Sequence, residues 1–234
     1  MPHFTHQRLI TTALLLTILL DGCGKHREPS QPTVLREDEK EFVLMIVFDL
    51  SGSFIQQMAE DGEAYDFAMR VVDRYHREKV STPDKLVLAQ ISGTGRSLLW
   101  EGTPLQLRRQ FPTAAQFREH LIAKADPHGS FVNDGLAHAI QYVATDPRVT
   151  SGQAQVGVFV LSDMLDNGPN PEESKQRLTT ALSNLGRIDH SVVGLYYVDQ
   201  LLVAEWRQQL QDAGVKNYRV ESEIVGQPNL PEFE

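Results

Sequence analysis

Two continuous apolar runs constrain the fold of this chain more than any other feature. Residues 42–48 (FVLMIVF) and 156–161 (VGVFVL) are apolar without alternation, a pattern typical of strands buried on both faces of a parallel sheet. Each run leads into an acid, Asp49 and Asp163 respectively. In open α/β sheets, ligands bind at the carboxyl ends of the strands, so these two acids are the first candidates for a functional site.

The segments around these runs alternate between helix and strand patterns. We predict an α/β fold with three layers, in which a mostly parallel central sheet is flanked by helices on both faces. The predicted domain covers residues 41–222, and residues 223–234 form a tail. Further strands are predicted at 85–92, 97–102, 191–198 and 217–222, and helices at 64–79, 114–125, 133–145, 171–186 (with Gly186 as end cap) and 201–214.

The composition fits one globular domain and excludes one class of partner. The chain has 234 residues, of which 41% are hydrophobic, enough for one domain with a full core. Its formal net charge is −9, and its Lys and Arg residues form no cluster. Because binding to nucleic acid needs concentrated positive charge, we expect no nucleic-acid partner.

The N-terminal residues predict export and a lipid anchor. Residues 1–22 have the pattern of an export signal, in which Arg8 precedes a short apolar stretch. Cys23 is the single cysteine, so a disulfide within the chain is excluded. The sequence LLDGC around it resembles a bacterial lipobox, with Asp21 where a small or apolar residue is usual. The resemblance implies lipidation of Cys23; a buried free cysteine after an ordinary signal is the alternative.

Residues 24–40 are polar, contain proline and have few large apolar groups. Such a segment buries too little apolar surface to fold alone, so we predict a tether between the lipid anchor and the domain. The resemblance places the protein in a bacterial cell envelope. Gly24, directly after Cys23, is similar to the outer-membrane-sorted pattern of enteric bacteria, which implies the periplasmic side of the outer membrane rather than the inner membrane.

Oxygen-bearing side chains follow the end of the first apolar run. Asp49 is followed by Ser51 and Ser53, and Gly52 gives the backbone the freedom to turn their side chains toward one point. If the two apolar strands are close in the sheet, Asp163 reaches the same rim. Two neighbouring carboxylates resist ionisation unless a cation compensates their charge. Hydroxyl and carboxylate oxygens suit a hard cation such as Mg²⁺, so we predict a magnesium site.

These residues resemble the metal-ion-dependent adhesion site of the von Willebrand factor type A domain, and the resemblance covers residues 42–222. DLSGS (49–53) is similar to the Asp-x-Ser-x-Ser signature of that family. GSFVNDGLAHA (129–139) is similar to its threonine loop and VFVLSDMLDN (158–167) to its aspartate segment. The implied metal is Mg²⁺, or else Mn²⁺ or Ca²⁺. The implied ligands are Ser51, Ser53 and Ser130, with Asp49 and Asp163 binding directly or through water.

The resemblance also implies a function for the site. A bound cation would contact an acidic residue of a partner protein, as expected of an adhesion or scaffold domain. Ser130 and Ser162 stand where the family has threonine, and Met164 stands where it has glycine. Met164 motivates a second hypothesis, in which the metal site is weakly occupied or empty and partners bind elsewhere on the same fold.

A phosphotransferase is the competing hypothesis from another functional class. DLSGS also resembles the nucleophile loop of haloacid-dehalogenase-type phosphotransferases, with Asp49 as the nucleophile and Asp163 with Asp166 or Asn167 holding magnesium. The phosphatases of that superfamily need an acid two residues after the nucleophile to protonate the leaving group. Ser51 occupies that position, so we predict a binding protein without catalytic residues. Outside the phosphotransferase hypothesis, Asp166 is predicted to be a helix-start or turn acid.

Overall fold

The computed structural model describes residues 41–51, 54–58, 62–78, 84–91, 97–126 and 130–222. The predictions for the export signal, Cys23, the tether, Ser53 and the tail at 223–234 lie outside these residues. None of the helices in the described ranges combines the length and the apolar character needed to cross a membrane.

Six strands in the described part of the chain form one sheet in the order β3-β2-β1-β4-β5-β6. All neighbouring pairs are parallel except β2 and β3, which are antiparallel. The prediction of a mostly parallel sheet is therefore confirmed. The strands are β1 (Glu41–Asp49), β2 (Lys85–Ile91), β3 (Leu98–Gly102), β4 (Ala154–Leu161), β5 (Val192–Tyr196) and β6 (Asn217–Glu221).

Helices connect the strands and cover both faces of the sheet. They are α1 (Glu63–Glu78), α2 (Pro104–Gln110), α3 (Ala114–Lys124), α4 (Val132–Ala144), α5 (Pro147–Thr150), α6 (Pro171–Gly186) and α7 (Val203–Asp212), with a short 3-10 helix at Phe54–Met58. Two of the α-helices, α2 and α5, were not among the predicted elements. Thr103 and Gln106 form a capping box at the start of α2, and Pro104 occupies its first turn.

Two hydrophobic clusters, one on each face, explain why the first run is apolar without alternation. One cluster joins the sheet to α4, α6 and α7, and the other joins it to α1, α2 and α3. Successive side chains of a strand point to opposite faces, so a strand covered on both faces needs an apolar residue at every position. Alternate residues of β1 divide between the clusters: Val43, Met45 and Val47 belong to the first, and Phe42, Leu44, Ile46 and Phe48 to the second.

One helix end differs from its prediction. Gly186 is the last residue of α6, and Arg187 follows as the cap. A Cβ atom on Gly186 would lie 2.1 Å from the backbone oxygen of Ala213. Glycine is required here because the ends of α6 and α7 approach closely, and a left-handed cap is not the reason.

Candidate metal centre

The candidate centre lies where β1 and β4 end side by side. These two strands are parallel neighbours, and Phe48 pairs with Leu161. The next residues, Asp49 and Ser162, are therefore equivalent positions at the carboxyl rim of the sheet. Asp49 is 1% exposed and Ser162 is fully buried. The condition on which the sequence argument depended, adjacency of the two apolar strands, is met.

The carboxylate of Asp49 accepts four hydrogen bonds from three serines. Its Oδ1 atom accepts from the backbone N–H of Ser51 at 3.1 Å and from Ser51 Oγ at 2.6 Å. Its Oδ2 atom accepts from Ser130 Oγ at 3.1 Å and from Ser162 Oγ at 2.8 Å. A buried carboxylate is costly unless its lone pairs are satisfied, and these donors satisfy both oxygens. The network brings Asp49, Ser51 and Ser130 together, as the sequence predicts.

The direction of these hydrogen bonds decides what each serine can do next. A serine hydroxyl has one proton and two acceptor lone pairs, and Ser51, Ser130 and Ser162 each give the proton to Asp49. Ser162 also accepts the backbone N–H of Met164 at 2.9 Å, so Ser162 positions the carboxylate. Ser51 and Ser130 retain lone pairs that a cation can use. Hydroxyl oxygens held by a carboxylate fit the oxygen-donor preference of Mg²⁺.

Asp163 is half-buried, two residues beyond the paired part of β4. Burial raises the pKa of its carboxyl, and the negative charges of Asp49 and Asp199 raise this pKa further. The backbone N–H of Leu165, which donates to Asp163 Oδ1 at 3.0 Å, acts in the opposite direction. Asp163 is therefore electrostatically coupled to Asp49, and a divalent cation between them would offset the repulsion.

The loop after β4 also holds the segment that carries Ser130. The backbone N–H of Asn167 donates to the backbone oxygen of Ser130 at 2.8 Å. Asp166 Oδ1 accepts the backbone N–H of Asn133, in the first turn of α4, at 3.1 Å. Phe131, directly before α4, has no side-chain acceptor of its own. Asp166 is thus a helix-start acid, but for a helix that precedes it in the chain.

Met164, the residue that motivates the hypothesis of a weakly occupied site, does not cover the candidate centre. Its side chain is 3% exposed and belongs to the hydrophobic cluster on the α4, α6 and α7 face, so it is packed inward and does not project over the rim. Its φ angle of 64° is left-handed, a conformation that is unfavourable for residues other than glycine. The glycine of the resembled family would adopt it without strain.

Asp199 is a rim residue that the sequence analysis missed. It follows β5, the strand next to β4, and its backbone N–H donates to the backbone oxygen of Asp163 at 2.9 Å. Its Oδ1 atom accepts the backbone N–H of Leu201 at 2.8 Å, as Asp163 does from Leu165. The signal was present, because the apolar run that forms β5 also leads into an acid followed two residues later by leucine.

Two further observations delimit the centre. Within the described ranges, no three or more His, Cys, Asp or Glu side chains are grouped so that they could hold a metal, and the candidate centre depends on serine hydroxyls in addition to its two acids.

A groove of about 930 Å³ lies elsewhere, between α4 and α6, and none of the predicted ligands line it. Arg177 in that groove is paired with Asp134 at 2.7 Å and with Glu173 at 2.6 Å.

Comparisons with known proteins give similarity of fold only. No family model matches the chain, and no curated protein matches its sequence. The pilus adhesin SpaC from Lactobacillus rhamnosus GG, solved in an open conformation, has a TM-score of 0.52 and 11% identity over 81% of this chain and 28% of its own. The proximal thread matrix protein 1 from the mussel byssus has a TM-score of 0.40 and 18% identity over 68% of this chain and 38% of its own. The chain thus spans well under half of either protein, and the adhesin likeness agrees with the three-layer α/β fold.

Proposed function

We propose that this domain binds a partner protein through a divalent cation, in the manner of the von Willebrand factor type A domains that its motifs resemble. The observation that carries the proposal is the convergence of three serine hydroxyls on the buried carboxylate of Asp49. If Asp49 had a purely structural role, hydrogen-bond donors of any kind would satisfy its carboxylate. Here the donors include Ser51 and Ser130, and the resemblance assigns both as ligands.

Each residue has a distinct role in the proposed centre. Ser51, Ser53 and Ser130 supply hydroxyl oxygens to Mg²⁺, and Asp49 orients the hydroxyls of Ser51 and Ser130 while contributing negative charge. Asp163 adds a second carboxylate, directly or through water. A bound cation would supply a positive charge for an acidic side chain of the partner to contact. SpaC, which shares the fold, is a pilus adhesin, and an adhesive role is compatible with this mode of binding.

Phosphotransfer is less well supported than binding. A carboxylate nucleophile must present a free lone pair to phosphorus. Asp49 is 1% exposed, and each of its two carboxylate oxygens accepts two hydrogen bonds. The domain is therefore proposed to be non-catalytic. It is further proposed to be a lipoprotein of the bacterial envelope, anchored through Cys23.

Calorimetric titration with Mg²⁺ and Mn²⁺ tests the proposal on the chain from residue 24 onward. We expect saturable binding that weakens at least tenfold in Asp49→Asn and in Ser130→Ala, because each change removes a charge or a ligand. Ser183→Ala, a serine substitution on α6, is the matched control and should bind as the unchanged protein does. Circular dichroism establishes that each variant is folded.

Two results would count against the proposal. Equal metal affinity in Asp49→Asn and the unchanged protein would exclude the centre. Hydrolysis of p-nitrophenyl phosphate that is lost in Asp49→Asn would favour the phosphotransferase instead.

A further inference from the structure

Two leucines beside the candidate centre are exposed to solvent. Leu165 is 46% exposed and Leu201 is 90% exposed. Each follows an aspartate by two residues and donates its backbone N–H to that aspartate's Oδ1 atom, Leu165 to Asp163 and Leu201 to Asp199. The two turns therefore share this hydrogen bond, although their backbones differ, because Met164 is left-handed and Gln200 is not.

The two turns lie side by side. Strands β4 and β5 are parallel neighbours whose last pair is Leu161 and Tyr196, and adjacent strands are separated by roughly 4.8 Å. The hydrogen bond of 2.9 Å from the Asp199 N–H to the Asp163 backbone oxygen continues this pairing beyond the strands. Leu165 and Leu201 thus follow the ends of two neighbouring strands, each two residues after a rim acid. We call these two residues the leucine rim.

Packing within the described residues does not explain this exposure. Leu202, the next residue after Leu201, packs against the core cluster, so the chain at this point already has its apolar anchor. A single exposed leucine is ordinary on a protein surface. Two on neighbouring turns, each two residues after a rim acid, are better explained by a partner that covers them.

We propose that the leucine rim is part of the partner-binding surface and selects a protein segment in which one acidic side chain is flanked by bulky apolar side chains. This inference rests on the proposed function, since the acid is the group that would contact the cation. The negative charge beside the centre determines which residues are favoured on either side of the partner's acid. The carboxylates of Asp163 and Asp199 repel any acid that does not reach the cation, whereas apolar flanks gain contact with Leu165 and Leu201.

A phage-displayed library of random peptides tests this inference on the chain from residue 24 onward. Peptides are bound in Mg²⁺ and eluted with EDTA, so that only metal-dependent binders are recovered. We expect recovered peptides to share one acidic residue with bulky apolar neighbours. A recovered peptide is then synthesised and should bind roughly tenfold more weakly to Leu165→Ser and to Leu201→Ser, as expected from loss of a buried leucine contact.

The controls separate the rim from the metal centre. Leu105→Ser changes a leucine on α2 that is 51% exposed and should leave the affinity for the peptide unchanged. The calorimetric affinity for Mg²⁺ alone should be the same in both rim variants as in the unchanged protein. Asp49→Asn should lose the peptide and the metal together.

Three outcomes would overturn the inference. Recovered peptides that share the acid without apolar neighbours would remove the leucine rim from the surface and leave the metal-dependent function intact. Equal affinity of the peptide for the rim variants and the unchanged protein would likewise remove the leucine rim from the surface and leave the metal-dependent function intact. A library that yields no EDTA-eluted peptide would overturn both the rim and the metal-dependent function.

Discussion

Asp49 is buried at the end of β1, where an unsatisfied charge would be costly, and it is stabilised by hydroxyls from three separate segments. One of these, Ser162, is 113 residues away in the chain. It differs from Ser51 and Ser130 in the described contacts because one of its two lone pairs accepts a backbone N–H, that of Met164. Its role is to orient the carboxylate.

The change Ser162→Ala tests that role. It removes a hydrogen bond from a buried carboxylate and leaves the Met164 N–H without its acceptor, so we expect a loss of about 1–3 kcal/mol in the free energy of unfolding. The affinity for Mg²⁺ should also fall, although no predicted ligand is removed. Urea denaturation and calorimetry measure the two effects.

Two further variants complete the Ser162 test. Ser162→Thr keeps the hydroxyl and should restore both quantities. Ser174→Ala, at a serine on α6 that is 1% exposed and bonds locally to the Pro171 oxygen, should lower stability without changing metal affinity. Unchanged metal affinity in Ser162→Ala would show that Ser162 has only a structural role.

At the scale of residues, the sequence predicted which motif residues lie close together. It did not predict the residues outside the motif that contact them. Asp49, Ser51 and Ser130 converge as predicted, because strand ends and helix starts fix where their backbones lie. The hydrogen bond from Ser162 and the proximity of Asp199 depend on which strands are neighbours. The Asp-x-Leu repeat marks Asp199 as an acid after a strand, but no local pattern shows which strands are neighbours.

The loop between β4 and α6 links two parts of the candidate centre. It carries Asp163, and through Asp166 and Asn167 it holds the start of α4 and the segment of Ser130. A helix N-terminus has backbone N–H groups without partners, and α4 receives one of its acceptors from this distant loop. The position of Ser130 is therefore coupled to that of Asp163.

We expect Asp166→Ala to lower the free energy of unfolding by about 1 kcal/mol, the usual cost of losing a helix cap. Metal affinity should fall as well, because the Ser130 segment loses part of its support. Asp166→Asn retains an acceptor oxygen and should recover most of both losses. If Asp166→Ala matches the unchanged protein in chemical denaturation, the cap contributes nothing to stability.

The contact between the ends of α6 and α7 gives a second prediction at this scale. Gly186→Ala would place a Cβ atom against the Ala213 backbone oxygen, and backbone cannot move aside as a flexible side chain can. We expect a loss of about 1–3 kcal/mol of stability, typical of overpacking. Asn184→Ala, on the same helix, is the control. Equal melting temperatures for the two variants would contradict the close approach.

Helices were predicted where apolar residues recur at helical spacing over a long segment. Helices α1, α4 and α6 bury several apolar residues at helical spacing, and α3 and α7 each bury two that are four residues apart, so these patterns were readable from the sequence. Helix α2 buries only Pro104 and Leu107; its capping box was the available signal.

At the scale of the whole molecule, two unbroken apolar runs were enough to predict a parallel sheet covered on both faces. Helices on both faces of the sheet require apolar residues at every position of the central strands. The sheet order places the two strands that form from the apolar runs, β1 and β4, next to each other. Their adjacency creates the rim on which the proposed function depends. The pattern could not reveal the order of the outer strands, because several orders bury the same residues.

The proposed lipid anchor is a property of the whole chain. We expect the full-length protein, produced in a bacterium fed with radiolabelled palmitate, to incorporate the label and to sediment with membranes. Cys23→Ser should remain unlabelled, since Cys23 is the only cysteine. Labelling that persists in Cys23→Ser would exclude this residue as the anchor.

The most direct test of the central claim is a crystal structure of the chain from residue 24 onward grown with Mn²⁺, with an anomalous difference map calculated at the manganese edge. The account predicts one strong peak at the carboxyl ends of β1 and β4, in contact with the hydroxyl oxygens of Ser51, Ser53 and Ser130. A fully occupied manganese elsewhere, with no peak beside Ser51 and Ser130, would contradict it.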